Sequence, residues 1–245
     1  LTEQLIALKA FKKNIHKVRR LLANVPTYMI FDDHDITDDW NLSKKWKDTV
    51  WEAPLGRHVI ANGLATYWLF QGWGNDPTSF PRSFINIMET YFTSFHVHSN
   101  MYEKWINTLW NYDNWHFVAP TKPKALFLDT RTVRAYNKGI KEGPRLLNDR
   151  AYNKLTKLVH KQNMNASKPF IIISPAPVLD IHEIETLLKE YLYPLREQGI
   201  PVHRDFDLET WTFNNRGYGE LIHWILRQKV EQAVILSGDA HRAFS

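Results

Sequence analysis

Residues 28–41 read YMIFDDHDITDDWN, a short apolar run followed by five aspartates (Asp32, Asp33, Asp35, Asp38 and Asp39) around one histidine, His34. The run Thr27 to Phe31 predicts a short buried strand, which puts the acidic group at its carboxyl end. Asp32, Asp33 and Asp35 cannot all ionise within a few ångströms of one another unless something cationic lies between them, because like charges raise each other's pKa. A metal ion is one solution, and a mixed carboxylate and imidazole set points to a Lewis-acid or redox metal. The plainer reading is a solvated turn whose aspartates cap a following helix.

The same arrangement recurs along the chain. DTRTVR follows KALFL, SPAP follows FIII, and GDAHR follows AVILS, so four polar clusters sit at the carboxyl ends of expected strands. Ligands bind at that edge of α/β sheets because the loops leaving the strands converge there. One composite site is therefore a better reading than four unrelated turns. Asp239 and His241 can point toward the same centre as the first cluster, with Gly238 expected to allow a close turn. Arg131 reads either as a planar fork for a phosphate or carboxylate, or as a salt-bridge partner of Asp129 or another aspartate. Ser174 lacks the glycine-flanked elbow of a nucleophile and reads as a structural turn.

Between these clusters helix and strand patterns alternate, which predicts an α/β layered fold with buried central strands. Helical spacing covers residues 3–24, with Leu5, Leu8, Phe11, Ile15, Val18 and Leu22 on one face. It recurs over 59–70, 84–95, 101–110, 149–161, 183–197 and 218–229. Residues 115–119 and 124–129 are read as two strands joined across PTKP, as a hairpin or, given the prolines, through a wider loop. No linker or repeat interrupts the 245 residues, and one domain over 1–245 is expected.

Composition narrows the classes further. With 44% hydrophobic and 23% charged residues the chain is globular, and its apolar runs are far shorter than the roughly 20 residues a membrane helix needs. No cysteine is present, so there is no disulfide, thiolate metal site or thiol nucleophile. The net charge of +5 permits an anionic partner, but the basic run KKNIHKVRR reads first as the solvated face of an amphipathic helix. Trp105, Trp110 and Trp115 read as core before they read as a base-stacking platform, so a nucleic-acid partner is the less favoured alternative.

YMIFDDHDITDDWN together with the terminal VILSGDAH resembles the alkaline phosphatase D (PhoD-like) family of calcineurin-like metallophosphoesterases. FLDTRTVR is similar to that family's strand-end motif, and DLETWTFNNRGYGEL is a looser match. The resemblance implies two β-sheets between helical layers and two metal ions, drawn from iron, calcium, manganese, zinc or magnesium, that hydrolyse a phosphate ester with a metal-activated water. It implies Asp33, Asp239 and, from the closing motif, His241 as metal ligands. It further implies His34 as the group that meets the substrate or protonates its leaving oxygen, Asp35 as its orienting carboxylate and Arg131 as a substrate contact. The family's first strand and its Gly-Asp motif are missing before residue 28, so the chain is read as a central-to-C-terminal portion incomplete at both ends. A non-catalytic metal-binding or interaction module and a nucleic-acid phosphodiesterase are the rival readings, and cellular location is left open.

Overall fold

The computed structural model describes residues 2–94, 99–136, 143–164, 169–179, 186–198, 200 and 209–239. Helix α1 (Thr2–Asn24) is followed by an irregular stretch through residue 43. Then come α2 (Lys44–Glu52) and α3 (Pro54–Tyr67), which runs on through a wider π-helical turn, Trp68–Gly72, into α4 (Trp73–Asn75). Helices α5 (Arg82–Thr93) and α6 (Asn100–Asn111) complete the first half. The second half contains β1 (Phe117–Ala119), β2 (Ala125–Phe127), α7 (Asp149–Lys161), β3 (Phe170–Ser174), α8 (Tyr193–Glu197), α9 (Asn215–Arg227) and β4 (Ala233–Ser237).

The fold is α/β, with one mixed four-stranded sheet among the described residues, in the order β1-β2-β3-β4. β1 and β2 form the expected hairpin, antiparallel with Ala119 opposite Ala125. β2, β3 and β4 are parallel, so their carboxyl ends share one edge. A second sheet is not present among the described residues.

Two large apolar cores and a small one, Leu42, Tyr193 and Phe213, hold these elements. The helical one is rich in aromatics: Phe31, Trp40, Trp68, Phe84, Tyr91, Trp105 and Trp115 are all buried in it. Trp105 stacks on Tyr91 with ring centroids 4.0 Å apart, so it and Trp115 are packing residues. The other large core lies between the sheet and helices α7 and α9, where Leu155 and Val159 of α7 and Leu221 and Trp224 of α9 meet Leu126, Phe170 and Ile172. Side-chain caps start both helices: Asn148 accepts from the Ala151 N–H where the sequence places α7, and Asn214 accepts from the Gly217 N–H and starts α9 at Asn215, three residues before the expected 218.

Two expectations are corrected. Residues 27–31 do not form a strand. The Met29 carbonyl accepts instead from Tyr67 Oη at 3.0 Å and Asn75 Nδ2 at 2.7 Å, so side chains satisfy the backbone where the sequence predicts a strand ladder. Phe31 still buries completely against Trp40, Tyr67 and Trp115. Helix α1 forms as its periodicity predicts, but residues 3–24 are all exposed, its apolar face included; Leu8 is 70% and Phe11 59% accessible. Its six Lys and Arg residues and single Glu account for the whole formal charge of +5, leaving 25 basic and 25 acidic residues in the rest of the chain.

Candidate metal centre

Three loops meet at the carboxyl edge of the sheet. Asp129 to Arg134 follow β2, Ser174 closes β3, and Gly238 and Asp239 follow β4. The 32–42 loop reaches the same edge from the aromatic core, anchored by the buried Phe31 and Trp40 on either side of its acidic group. It is held from within by Asp33. The Asp33 carbonyl accepts from the N–H groups of Ile36 and Thr37 at 2.8 and 2.7 Å, and its carboxylate accepts from those of His34 and Asp39, both at 2.9 Å. Asp39 and Asn41 take left-handed backbone angles, φ 63° and 62°, that Asp and Asn tolerate better than most residues.

Asp32, Asp33, His34 and Asp239 each present one ligand-capable atom, and these atoms all lie within 4.8 Å of one another. This group could hold a metal ion. Asp239 reaches it from a left-handed conformation, φ 62°, so the tight turn expected at Gly238 is made one residue later. The sequence does not single out Asp32 as a ligand, and its adjacency to Asp33 is the only signal for it.

The cation between these carboxylates in the structure is Arg131. Its side chain is completely buried; Nη2 donates to Asp33 at 3.0 Å and to Asp239 at 3.4 Å, Nε to Asp32 at 3.0 Å, and Nη1 to Glu209. Of the two sequence readings of Arg131, the salt-bridge one describes this geometry. The guanidinium is taken up by carboxylates and presents no fork to a bound substrate. Asp129 shapes the loop that delivers it, accepting from the N–H groups of Arg131 and Thr132 at 2.9 and 2.8 Å.

Behind Arg131 lies a layer that sequence reasoning does not assign. Arg134 Nη2 donates to Glu209 at 2.9 Å, and its Nη1 donates to the Asn41 carbonyl at 3.0 Å. Asn41 Nδ2 returns to the Arg131 carbonyl at 3.0 Å. Burial, and then the neighbouring Arg131, pull the Arg134 guanidinium down to about 9, still protonated at neutral pH. The second Glu209 oxygen, Oε1, is buried with no hydrogen-bond partner among the described residues. The signals for this layer are the spacing of the two arginines in DTRTVR and the lone acid in ETW, neither of which names a partner.

His34 is half exposed, and its Nδ1 lies 2.9 Å from Asp33, 3.5 Å from Asp239 and 3.9 Å from Asp32. Partial burial opposes its charge, but Asp33, Asp239 and Asp32 together outweigh that and raise its pKa above the ordinary 6.5. The carboxylate that orients it is Asp33. Asp35, expected in that role, instead accepts the Asp32 N–H at 2.8 Å and closes the turn. Ser174 is a structural turn residue: Oγ donates to the Ala176 carbonyl at 2.6 Å and accepts from Trp211 Nε1 at 3.0 Å. His241 lies outside the described residues.

Comparison of the chain with protein-family models, with curated proteins and with solved structures gives no match.

Proposed function

We propose that the chain carries part of the metal centre of a phosphate-ester hydrolase of the alkaline phosphatase D (PhoD-like) type. The observation that supports this reading most is the convergence of Asp32, Asp33, His34 and Asp239 within 4.8 Å from opposite ends of the chain. Asp33 and Asp239, with Asp32, are the oxygen donors for an ion, and His241 is a further donor on this reading. The charge balance leaves the cluster anionic whether or not His34 carries a proton, as a cation site requires. Four carboxylates, Asp32, Asp33, Asp239 and Glu209, face two guanidinium groups, Arg131 and Arg134, which leaves two negative charges when His34 is neutral. The described donors form one compact set and do not complete a second, so the dinuclear centre and the two-sheet architecture remain the family-level part of the proposal.

A bound ion of this kind supplies Lewis acidity, lowering the pKa of water and neutralising charge on phosphoryl oxygens. The protein's own contribution is to place and hold charge. Arg131 keeps three carboxylates together against their mutual repulsion, and Glu209 with Arg134 keeps Arg131 in place. His34 is the proton donor to the leaving oxygen: it is accessible, its raised pKa keeps a larger protonated fraction near neutrality, and Asp33 fixes its ring through Nδ1. The acceptor side is a phosphomonoester or phosphodiester.

Metal analysis paired with turnover of p-nitrophenyl phosphate and bis-p-nitrophenyl phosphate tests the reading. Bound metal with turnover of either ester supports it. Metal without turnover favours a non-catalytic binding module, the rival that Arg131's neutralisation of the cluster also favours. Neither metal nor turnover sinks the enzyme reading. His34→Ala is expected to lower turnover more than metal content, whereas Asp33→Ala lowers both.

A further inference from the structure

A polar cavity of about 320 Å³ lies between the 76–79 turn, the residues before β1 and one face of α7. Lys154, Lys157 and Lys161 line it at helical spacings of three and four, so all three stand on one side of the helix. Lys154 is committed to Asp113, whose backbone carbonyl it also meets at 3.0 Å. Lys157 and Lys161 are exposed and form no ion pair among the described residues, and the only acid in the lining is Asp76, which accepts from the Thr78 N–H and hydroxyl. The cavity is therefore net positive.

His116 completes the lining and is itself buried. Its Nδ1 accepts the Asp129 N–H at 2.8 Å, which leaves the ring proton on Nε2. That Nε2 is buried with no acceptor among the described residues, a condition that native structures relieve with a ligand or an ordered water. A buried N–H donor and two ammonium groups without an ion pair among the described residues share one preference at this cavity, an anion with several acceptor oxygens.

We propose that this cavity is an oxyanion site, taking free phosphate or the phosphate group of a small ester, with Lys157 and Lys161 supplying charge and His116 Nε2–H the buried donor. The site is separate from the strand-end carboxylates and needs no metal. The Asp129 N–H bond to His116 joins it to the loop that delivers Arg131.

The test uses the full chain after treatment with a chelator, titrated with inorganic phosphate while the imidazole ¹H–¹⁵N signals of His116 and His34 are followed. A saturable shift at His116 is expected, weakened about tenfold or more in a Lys157→Gln/Lys161→Gln double variant, since hydrogen bonds to charged groups are the stronger ones. Both lysines are exposed, so the variant should keep the wild-type denaturation midpoint. A parallel titration with glycerol 3-phosphate separates the sources: tighter binding of the ester assigns an organic phosphate, and equal binding assigns the free ion. Absence of a saturable shift at His116, a shift unchanged in the double variant, or a shift confined to His34 would overturn the proposal.

Discussion

Helices α1 and α7 announce themselves in the sequence by the same three- and four-residue apolar spacing, and they meet opposite fates. α7 buries Ala151, Leu155 and Val159 against the sheet and lends its lysines to a cavity. α1 buries none of its described side chains. Periodicity thus specifies a face and does not specify what covers it. Charge repeats the lesson, for the basic residues of α1 stand in solvent while Arg131, in the same chain, is wholly enclosed by acids.

The largest effect expected from breaking this contrast is at Arg131. Arg131→Ala removes the one group that Asp32, Asp33, Asp239 and Glu209 share, and breaking a buried ion pair from one side costs about 3–5 kcal/mol. Urea denaturation measures it, and a loss below about 1 kcal/mol would show that the cluster does not depend on its arginine. Next, Leu155→Ala on α7 should destabilise by roughly 2–5 kcal/mol, as buried Leu to Ala changes do.

His116 adds a pH-dependent term to the α7 side. Burial, first, and then Lys154 pull it down to about 4, although Asp129 and Asp113 pull the other way. The folded pKa lies below the ordinary 6.5, so the unfolded chain takes up the proton first as pH falls. The stability tied to neutral His116 is therefore complete above about pH 6.5, is lost progressively toward pH 4, and falls no further below that. The span corresponds to ~3 kcal/mol at most. His116→Gln should flatten this part of the profile, and an unchanged profile would remove His116 as its cause. The smallest effect is expected on α1: Phe11→Ala, at an exposed position, should stay within about 0.5 kcal/mol of the parent. A larger loss would mean that the apolar face of α1 is covered in solution.

The same distinction between pattern and partner explains what is legible in the sequence. The hairpin of β1 and β2, strands β3 and β4 and the polar clusters at their ends follow from short apolar runs bounded by turn residues. Residues 27–31 carry the same signal and are not a strand, because ladder formation depends on a neighbouring backbone and here Tyr67 and Asn75 reach Met29 first. Helix α2 does not show in the pattern; its residues KKWKDTVWE offer few apolar positions, and its start depends on Ser43 capping the Trp46 N–H. At the site, Asp33, His34 and Asp239 can be placed together from their motifs. The roles of Glu209, Arg134 and Asn41 cannot, since each is defined by a contact with a residue far away in the chain. Asp35 shows the complementary failure: a carboxylate next to His34 in sequence binds backbone, while Asp33 takes the imidazole.

The concentration of the entire net charge on α1 has a colloidal consequence. One rod carries both the exposed apolar stripe and the cations that keep like molecules apart, while the rest of the chain has no net charge with which to repel a neighbour. At physiological ionic strength such repulsion extends about 8 Å, and at 1 M salt only about 3 Å. The stripe does not weaken as the ions accumulate. Salt therefore weakens the repulsion that α1 supplies and leaves its exposed apolar stripe intact.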